Sequence, residues 1–121
     1  MSSAKILVAD DNDASRELIR EVLEMSGYDV VEAADGQEAV NRARESSPDL
    51  VLVDIQMPRL DGYGVLRELR ADPRFSGLHV VALTAYAMQG DRDRALDAGF
   101  DGYITKPVDI AALRQEIRKL L

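Results

Sequence analysis

The sequence predicts an α/β fold, (βα)5, with a doubly wound parallel sheet in the strand order 2-1-3-4-5. Short β-branched apolar runs alternate along the chain with segments whose apolar residues recur at helical spacing. The runs show little polar alternation, which is typical of parallel strands covered on both faces. Four of them end on a chemically distinct polar residue, at the sheet edge where ligands bind in such folds.

The five predicted strands are short and rich in Val, Ile and Leu. In the predicted order, the first and third strands are neighbours, so we expect Asp10, Asp11 and Asp54 to meet at one edge of the sheet. The strands are predicted at Lys5–Asp10, Asp29–Ala33, Leu50–Asp54, His79–Thr84 and Gly102–Thr105.

The predicted helices fill the segments between and after these strands. Glycines follow two of them, as is common at helix C-termini, and aspartates precede two others as N-caps. They are predicted at Ala14–Ser26 before Gly27, Gly36–Glu45 after Asp35, a third helix between Asp61 and Pro73, Asp91–Ala98 (alternatively from Met88) before Gly99, and Asp109–Leu120.

Length and composition predict one domain over residues 1–121, since 46% of the residues are apolar and no low-complexity linker interrupts the chain. The net charge of −7 opposes direct binding to nucleic acid and gives no support for an anionic membrane surface. No run is long enough for membrane insertion, and the N-terminus lacks the apolar core of a signal peptide, so we expect a cytoplasmic protein. The absence of cysteine excludes thiol chemistry.

The polar residues at the strand ends predict a metal-dependent phosphoryl site. Two carboxylates about 5 Å apart repel by roughly 3 kcal/mol at an effective dielectric near 20, which implies a counterion. Mg²⁺ is commonly bound by one or two carboxylates together with waters and phosphate oxygens, whereas Ca²⁺ needs more oxygen ligands than this set provides. With Lys106 and Thr84 to contact phosphoryl oxygens, Asp54 is the candidate nucleophile and an aspartyl phosphate the expected product.

At these residues the chain resembles a response-regulator receiver domain of two-component signalling, which has a flavodoxin-like fold. The likeness runs the whole length of the chain and rests on motifs in family order and spacing. The segment Thr84-Ala85-Tyr86-Ala87-Met88-Gln89-Gly90-Asp91 resembles stand-alone cell-cycle-type receivers and the receivers of hybrid histidine kinases. The motifs are Asp10-Asp11, Asp54 followed by Met57-Pro58 and Asp61-Gly62, Thr84-Ala85, and Lys106-Pro107.

The resemblance implies a role for each site residue. Asp54 accepts phosphate from a phosphohistidine, and Mg²⁺ is ligated by Asp11, Asp54 and the backbone carbonyl of Gln56, with Asp10 acting largely through metal-bound water. Thr84 and Lys106 contact the phosphoryl oxygens, Tyr103 is the switch aromatic, and the Lys106-Pro107 bond is cis. Pro58, Gly62 and Pro107 are structural.

The resemblance also implies partners. A histidine kinase or histidine phosphotransfer protein is expected to dock near the site, on a surface formed by Ala14, Ser15, Leu18 and Val108. Phosphorylation is expected to draw the Thr84 hydroxyl inward and let Tyr103 enter from a more exposed rotamer. The affected surface for downstream proteins is the fourth helix, last strand and fifth helix, at residues 88–98 and 102–120.

Each residue also has a structural interpretation. Asp10 and Asp11 are candidate helix caps, Asp54 a turn residue, Thr84 a strand residue, and Lys106 a surface charge. Leu18 and Tyr103 are candidate core residues, Tyr86 a loop-packing residue, and the single histidine, His79, is expected to be structural.

The sequence leaves three other functions to consider. A flavodoxin-like redox module shares the strand order, but the Asp-Asp-Asn-Asp run at 10–13 would repel a flavin phosphate. An aspartyl-phosphate hydrolase needs a second Asp two residues after its nucleophile, where Gln56 stands. A pseudo-receiver that binds partners without phosphorylation remains the main alternative, and the chain is not expected to be a turnover enzyme.

Overall fold

The structure is a computed structural model that describes residues 3–85 and 90–121. It contains a five-stranded sheet and, among these residues, five α-helices with one short 3₁₀-helix. The elements are β1 (Lys5–Ala9), α1 (Asp13–Met25), β2 (Asp29–Ala33), α2 (Gly36–Ser46), β3 (Leu50–Asp54), α3 (Gly62–Arg70), the 3₁₀-helix (Pro73–Phe75), β4 (His79–Thr84), α4 (Asp91–Ala98), β5 (Gly102–Thr105) and α5 (Ile110–Leu120).

All strand pairs are parallel, and the order is β2-β1-β3-β4-β5, which confirms the predicted fold. The strand order reverses at β1, whose two neighbours are β2 and β3. Ala9 lies opposite Val53, so the residues that follow β1 lie beside Asp54 at the end of β3. The sheet therefore brings the predicted aspartates to one edge.

Two apolar layers cover the sheet. One face packs against α1 and α5 through buried residues such as Ile19, Leu23 and Leu113. The other packs against α2, α3 and α4 through residues such as Val40 and Leu69. Because both faces of β1 and β3 are buried, these strands are almost continuously apolar up to their carboxyl ends.

Local capping explains the small differences from the predicted boundaries. The first strand ends at Ala9 and not at Asp10, because the Asp10 side chain accepts a hydrogen bond from the Asn12 amide at 2.9 Å and turns the chain. Asn12, and neither Asp10 nor Asp11, caps α1 by accepting a hydrogen bond from the Ser15 amide at 2.9 Å. Helix α1 consequently begins at Asp13, one residue earlier than predicted, and ends at Met25 rather than Ser26.

The remaining caps follow the predictions closely. Asp35 and Asp61 accept amide hydrogen bonds at the N-termini of α2 and α3. Asp109 caps α5, which therefore begins at Ile110, and α2 runs one residue further than predicted, to Ser46. The 3₁₀-helix was not predicted; Asp72 caps it.

Helix α4 begins at Asp91, as predicted. The alternative start at Met88 and the packing expected of Tyr86 fall outside the residues that the structure describes. Within residues 3–85 and 90–121, none of the helices has the length and apolarity needed to cross a membrane.

Candidate functional site

The carboxyl edge of the sheet gathers three carboxylates. Asp10 and Asp11 follow β1, and Asp54 is the last residue of β3. One oxygen from each lies within 4.8 Å of one from each of the others. Asp10 is fully buried and Asp54 is 6% exposed, whereas Asp11 faces solvent. The predicted acidic cluster therefore exists, with one open side.

Lys106, which follows β5, places its ammonium group between the two buried carboxylates. Its Nζ lies 2.6 Å from Oδ2 of Asp54, in a hydrogen bond, and 2.7 Å from Oδ2 of Asp10, in an ion pair whose angles are poor for hydrogen bonding. The Lys106–Pro107 peptide bond is cis, as predicted. One ammonium group thus faces two buried carboxylates.

Backbone amides hold the other oxygens of these two carboxylates. The Gln56 amide donates to Oδ1 of Asp54 at 2.9 Å, and the Asn12 amide donates to Oδ1 of Asp10. Both side chains are therefore oriented by the loop that immediately follows their own strand.

The cluster shifts the proton affinities of Asp54 and Lys106. Burial raises the pKa of Asp54, although the hydrogen bonds from Lys106 and the Gln56 amide act in the opposite direction. Burial alone would lower the pKa of Lys106, but the contacts with Asp10 and Asp54 outweigh it and raise this pKa. Lys106 therefore stays an ammonium group at neutral pH.

The residues fit a small divalent cation. Three carboxylates against one ammonium group leave the cluster with two uncompensated negative charges when all are ionised. Carboxylate oxygens are the ligand type that Mg²⁺ prefers. Asp11 and Gln56 are exposed, so the cluster is open to solvent on their side. The charge and the ligand chemistry both point to a divalent ion.

Gly62 lets the loop at residues 55–61 fold back over the end of β3. A Cβ atom at Gly62 would lie 2.7 Å from the Ile55 Cα and 2.8 Å from the Asp54 carbonyl oxygen. The Gly62 amide also donates to the Ile55 carbonyl at 2.8 Å. Pro58, whose carbonyl accepts a hydrogen bond from the Leu60 amide, is exposed within this loop.

Thr84 and Tyr103 lie on the neighbouring strands β4 and β5. Thr84 is buried at the end of β4, and its carbonyl accepts a hydrogen bond from the Lys106 amide at 2.7 Å. Tyr103 is half-buried against the core, in part as its structural interpretation expected, and its hydroxyl is buried without a partner among the described residues. Burial and the nearby Asp91 raise the pKa of Tyr103. The Tyr103 hydroxyl is therefore shielded from solvent in this structure.

A groove of about 410 Å³ lies beside the site, between α1 and the segment after β5. Its lining is mainly apolar and includes all four residues predicted to contact a phosphodonor. Leu18 is 47% exposed, so its interpretation as a core residue is wrong. The lining residues include Ala14, Ser15, Leu18, Lys106, Pro107 and Val108.

His79 lies far from this site, at the start of β4, where its Nδ1 is 4.0 Å from Asp101. Arg16 was missed by sequence reasoning, although it donates to the Asp10 carbonyl. Its position in the first turn of α1 is equally typical of a solvated charge, so the sequence carries no signal for this contact.

Comparisons with known proteins agree with this geometry. The response regulator receiver domain family matches residues 6–118. The polar-differentiation response regulator DivK of Brucella anthropi is 36% identical over 116 residues, which cover 96% of this chain and 94% of DivK.

Solved structures are similar over nearly the whole chain. The receiver domain of a Pseudomonas aeruginosa sensor histidine kinase, with a magnesium ion coordinated in its active site cleft, has a TM-score of 0.89 and 37% identity, covering 98% of each chain. The Vibrio cholerae chemotaxis protein CheY4 has a TM-score of 0.92 and 26% identity, covering 99% of this chain and 100% of its own.

The fold and the acidic edge are those of a signalling receiver module. The chain belongs to the response regulator receiver domain family, whose members act in two-component signalling. Receiver domains bind Mg²⁺ at an acidic site and interact with histidine kinases or phosphotransfer proteins.

Proposed function

We propose that this chain accepts a phosphoryl group on Asp54, in a Mg²⁺-dependent reaction, from a phosphohistidine of a histidine kinase or histidine phosphotransfer protein. The observation that carries the proposal is the buried Asp54 carboxylate, which shares its pocket with Asp10, Asp11 and the Lys106 ammonium group. Charge balance within the protein would need only one carboxylate for this lysine. The additional carboxylates support a role in binding a cation.

Each residue of the acidic cluster has a proposed role in metal binding or in phosphoryl transfer. Mg²⁺, when bound, would neutralise phosphoryl oxygens; Asp11, Asp54 and the Gln56 carbonyl would hold it, with Asp10 acting through water. An Asp54 oxygen attacks phosphorus, the new O–P bond forms, the P–N bond of the phosphohistidine breaks, and the imidazole nitrogen leaves with the electron pair. The Gln56 amide holds the Asp54 carboxylate in a fixed orientation for this attack.

Lys106 and Thr84 are proposed to contact the transferred group. Nζ of Lys106 already lies 2.6 Å from Asp54, so a small movement brings it to a phosphoryl oxygen. A positioned ammonium group stabilises the charge that spreads over those oxygens during transfer. Thr84, on the strand adjacent to β3, supplies a hydroxyl donor from the same edge.

We propose that Tyr103 takes part in the response to phosphorylation. A buried hydroxyl without a partner typically costs about 1–3 kcal/mol, so this placement of the Tyr103 hydroxyl is only weakly stabilised. Movement of Thr84 toward a phosphoryl group on Asp54 would change the space beside β5 and bias the Tyr103 rotamers. The surface affected is that of α4, β5 and α5.

The groove defined above is the proposed docking surface for the phosphodonor. It opens beside Lys106, combines small and apolar side chains, and suits a helix laid against α1. Charge substitution at Ser15 or Val108 should slow transfer from the phosphohistidine protein while leaving labelling by acetyl phosphate unchanged. Equal slowing of both reactions would argue against docking there.

In this proposal the chain is a cytoplasmic phosphoacceptor and not a turnover enzyme; its own chemistry is self-phosphorylation and autodephosphorylation.

Labelling with radioactive acetyl phosphate in Mg²⁺ tests the assignment. We expect the wild type to form a base-labile acyl phosphate, Asp54→Asn to form none, and Lys106→Ala to be strongly impaired. Asp101→Asn, which changes an aspartate at the opposite sheet edge, should label normally. Failure of the wild type to label from either acetyl phosphate or a phosphohistidine protein would instead support the pseudo-receiver alternative.

A further inference from the structure

Arg16 connects three segments around the acidic cluster through one guanidinium group. Nη1 donates to the Asp10 carbonyl at 2.7 Å, Nε donates to Glu32 at 3.2 Å, and Nη2 donates to Asp13 at 2.8 Å. The side chain is only 16% exposed. Arg16 therefore joins the loop after β1 to strand β2 and to the first turn of α1.

The Asp10 carbonyl belongs to the peptide group that links Asp10 to Asp11. The orientation of this peptide decides where the Asp11 side chain leaves the backbone. Within residues 3–85 and 90–121, the Asp11 carboxylate makes no hydrogen bond or ion pair of its own. Its position consequently depends on how firmly this backbone is held.

We propose that Arg16 is a positioning residue for the cation site: it holds the Asp10–Asp11 peptide and so preorganises Asp11 as a ligand. This inference rests on the proposed function in taking Mg²⁺ as the ion. Loss of a contact that orients a metal-ligating residue, without touching the metal itself, typically weakens metal binding by 10- to 100-fold.

The effect of the Arg16 charge has the opposite sign to the effect of its hydrogen bond. A guanidinium group near the cluster repels a cation, so loss of the charge alone should tighten Mg²⁺ binding. Loss of the hydrogen bond to the Asp10 carbonyl should weaken it. The direction of the change therefore distinguishes positioning from simple electrostatics.

Arg20 provides a matched control one helical turn further along α1. It donates to Oε2 of Glu32 at 3.0 Å, while Arg16 donates to Oε1 of the same carboxylate. Among the described residues its ion pairs are with Glu24 and Glu32, and it has no contact with the loop after β1. Arg20→Ala thus removes an equal charge and a similar ion pair without releasing the Asp10–Asp11 peptide.

The first measurement is the Mg²⁺ dissociation constant by calorimetry, at a temperature where circular dichroism shows every variant folded. We expect roughly tenfold weaker binding for Arg16→Ala, and unchanged or slightly tighter binding for Arg20→Ala. The dissociation constant of Arg16→Lys should lie between those of wild type and Arg16→Ala, because one ammonium group cannot make all the hydrogen bonds of a planar guanidinium group. Binding by Arg16→Ala at least as tight as wild type, or equal weakening in both alanine variants, would overturn the inference.

A second measurement needs no metal. Backbone order parameters from ¹⁵N relaxation of the metal-free protein should fall at Asp11 in Arg16→Ala and stay unchanged in Arg20→Ala. Unchanged order at Asp11 in Arg16→Ala would overturn the positioning role even if the wild type binds Mg²⁺ and is phosphorylated. Absence of Mg²⁺ binding in a wild type whose Asp11 order still depends on Arg16 would instead count against the proposed function.

Discussion

The sheet has an amino edge, where its parallel strands begin, and a carboxyl edge, where they end. The ion pairs at these two edges differ in their charge balance. At the amino edge, Arg70 donates to Asp101 at 3.0 Å and to the carbonyls of Phe75 and Leu78, while Asp101 also accepts a hydrogen bond from the Val80 amide. One positive charge meets one negative charge, and both side chains remain about one-third exposed. This arrangement satisfies loop carbonyls and joins α3 to the residue that precedes β5.

At the carboxyl edge, the single Lys106 ammonium group faces two buried carboxylates, with Asp11 close by. Burial of charge is costly unless it is fully paired. A design for stability alone would resemble the amino edge, with balanced and partly solvated charge. Excess buried charge, rather than the presence of ion pairs, therefore distinguishes the functional edge.

The largest expected difference between the edges follows removal of their cations. Lys106→Met leaves two buried carboxylates uncompensated and should lower the free energy of unfolding by about 3 kcal/mol. Arg70→Met frees carbonyls that water can reach and should cost about 1–2 kcal/mol. Urea denaturation at neutral pH without metal measures both values. Equal losses would mean that the two edges do not differ in how they hold charge.

A second contrast uses glycines at the two edges. A Cβ atom at Gly36, which begins α2, would lie 1.8 Å from the Leu60 carbonyl oxygen, so α2 and the loop at 55–61 touch through backbone. Gly36→Ala should therefore destabilise the protein by about 2 kcal/mol. Gly77→Ala, at the amino edge with nothing within 4 Å of its Cβ position, should change stability by less than about 0.5 kcal/mol. Thermal melts of both variants would show the difference, and a harmless Gly36→Ala would mean that the loop at 55–61 shifts freely.

Neutralising one aspartate should act in opposite directions at the two edges. In metal-free protein, Asp54→Asn leaves Lys106 paired with Asp10 alone and should raise the free energy of unfolding by about 1 kcal/mol. Asp101→Asn removes the balancing charge of Arg70 and should lower it by about 1 kcal/mol. Denaturation in the presence of a chelator gives the two signs. A loss of stability in Asp54→Asn would indicate that the carboxyl edge is already balanced without a cation.

The smallest expected effect is stabilisation by Mg²⁺. At a free concentration three times its dissociation constant, Mg²⁺ should add about 0.8 kcal/mol to the stability of the wild type. Asp11→Asn should lose most of this gain, while Asp101→Asn should keep it, because Asp101 lies at the other edge. Melting curves with and without Mg²⁺ measure this stabilisation. An equal rise in melting temperature in wild type, Asp11→Asn and Asp101→Asn would mean that Mg²⁺ binds outside the acidic cluster.

Much of the fold was predictable because its signals are local. β-Branched runs, helical spacing of apolar residues and capping aspartates such as Asp35 and Asp61 specified the elements to within about a residue. The preference for right-handed crossovers then leaves few ways to order five parallel strands. The 3₁₀-helix at Pro73–Phe75 was missed, because its signal is a single cap and a proline.

The order of the elements and the residue types that meet at the carboxyl edge could be read from the sequence, since each polar residue ends its own apolar run. The way in which these groups share charge depends on the three-dimensional packing. Lys106 and Asp54 are 52 positions apart in sequence, and their contact depends on how β3 and β5 flank β4. The hydrogen bond from Arg16 to Glu32 and the close approach of Gly36 to Leu60 likewise join segments that are distant in sequence, and no local pattern predicts them because tertiary packing brings these residues together.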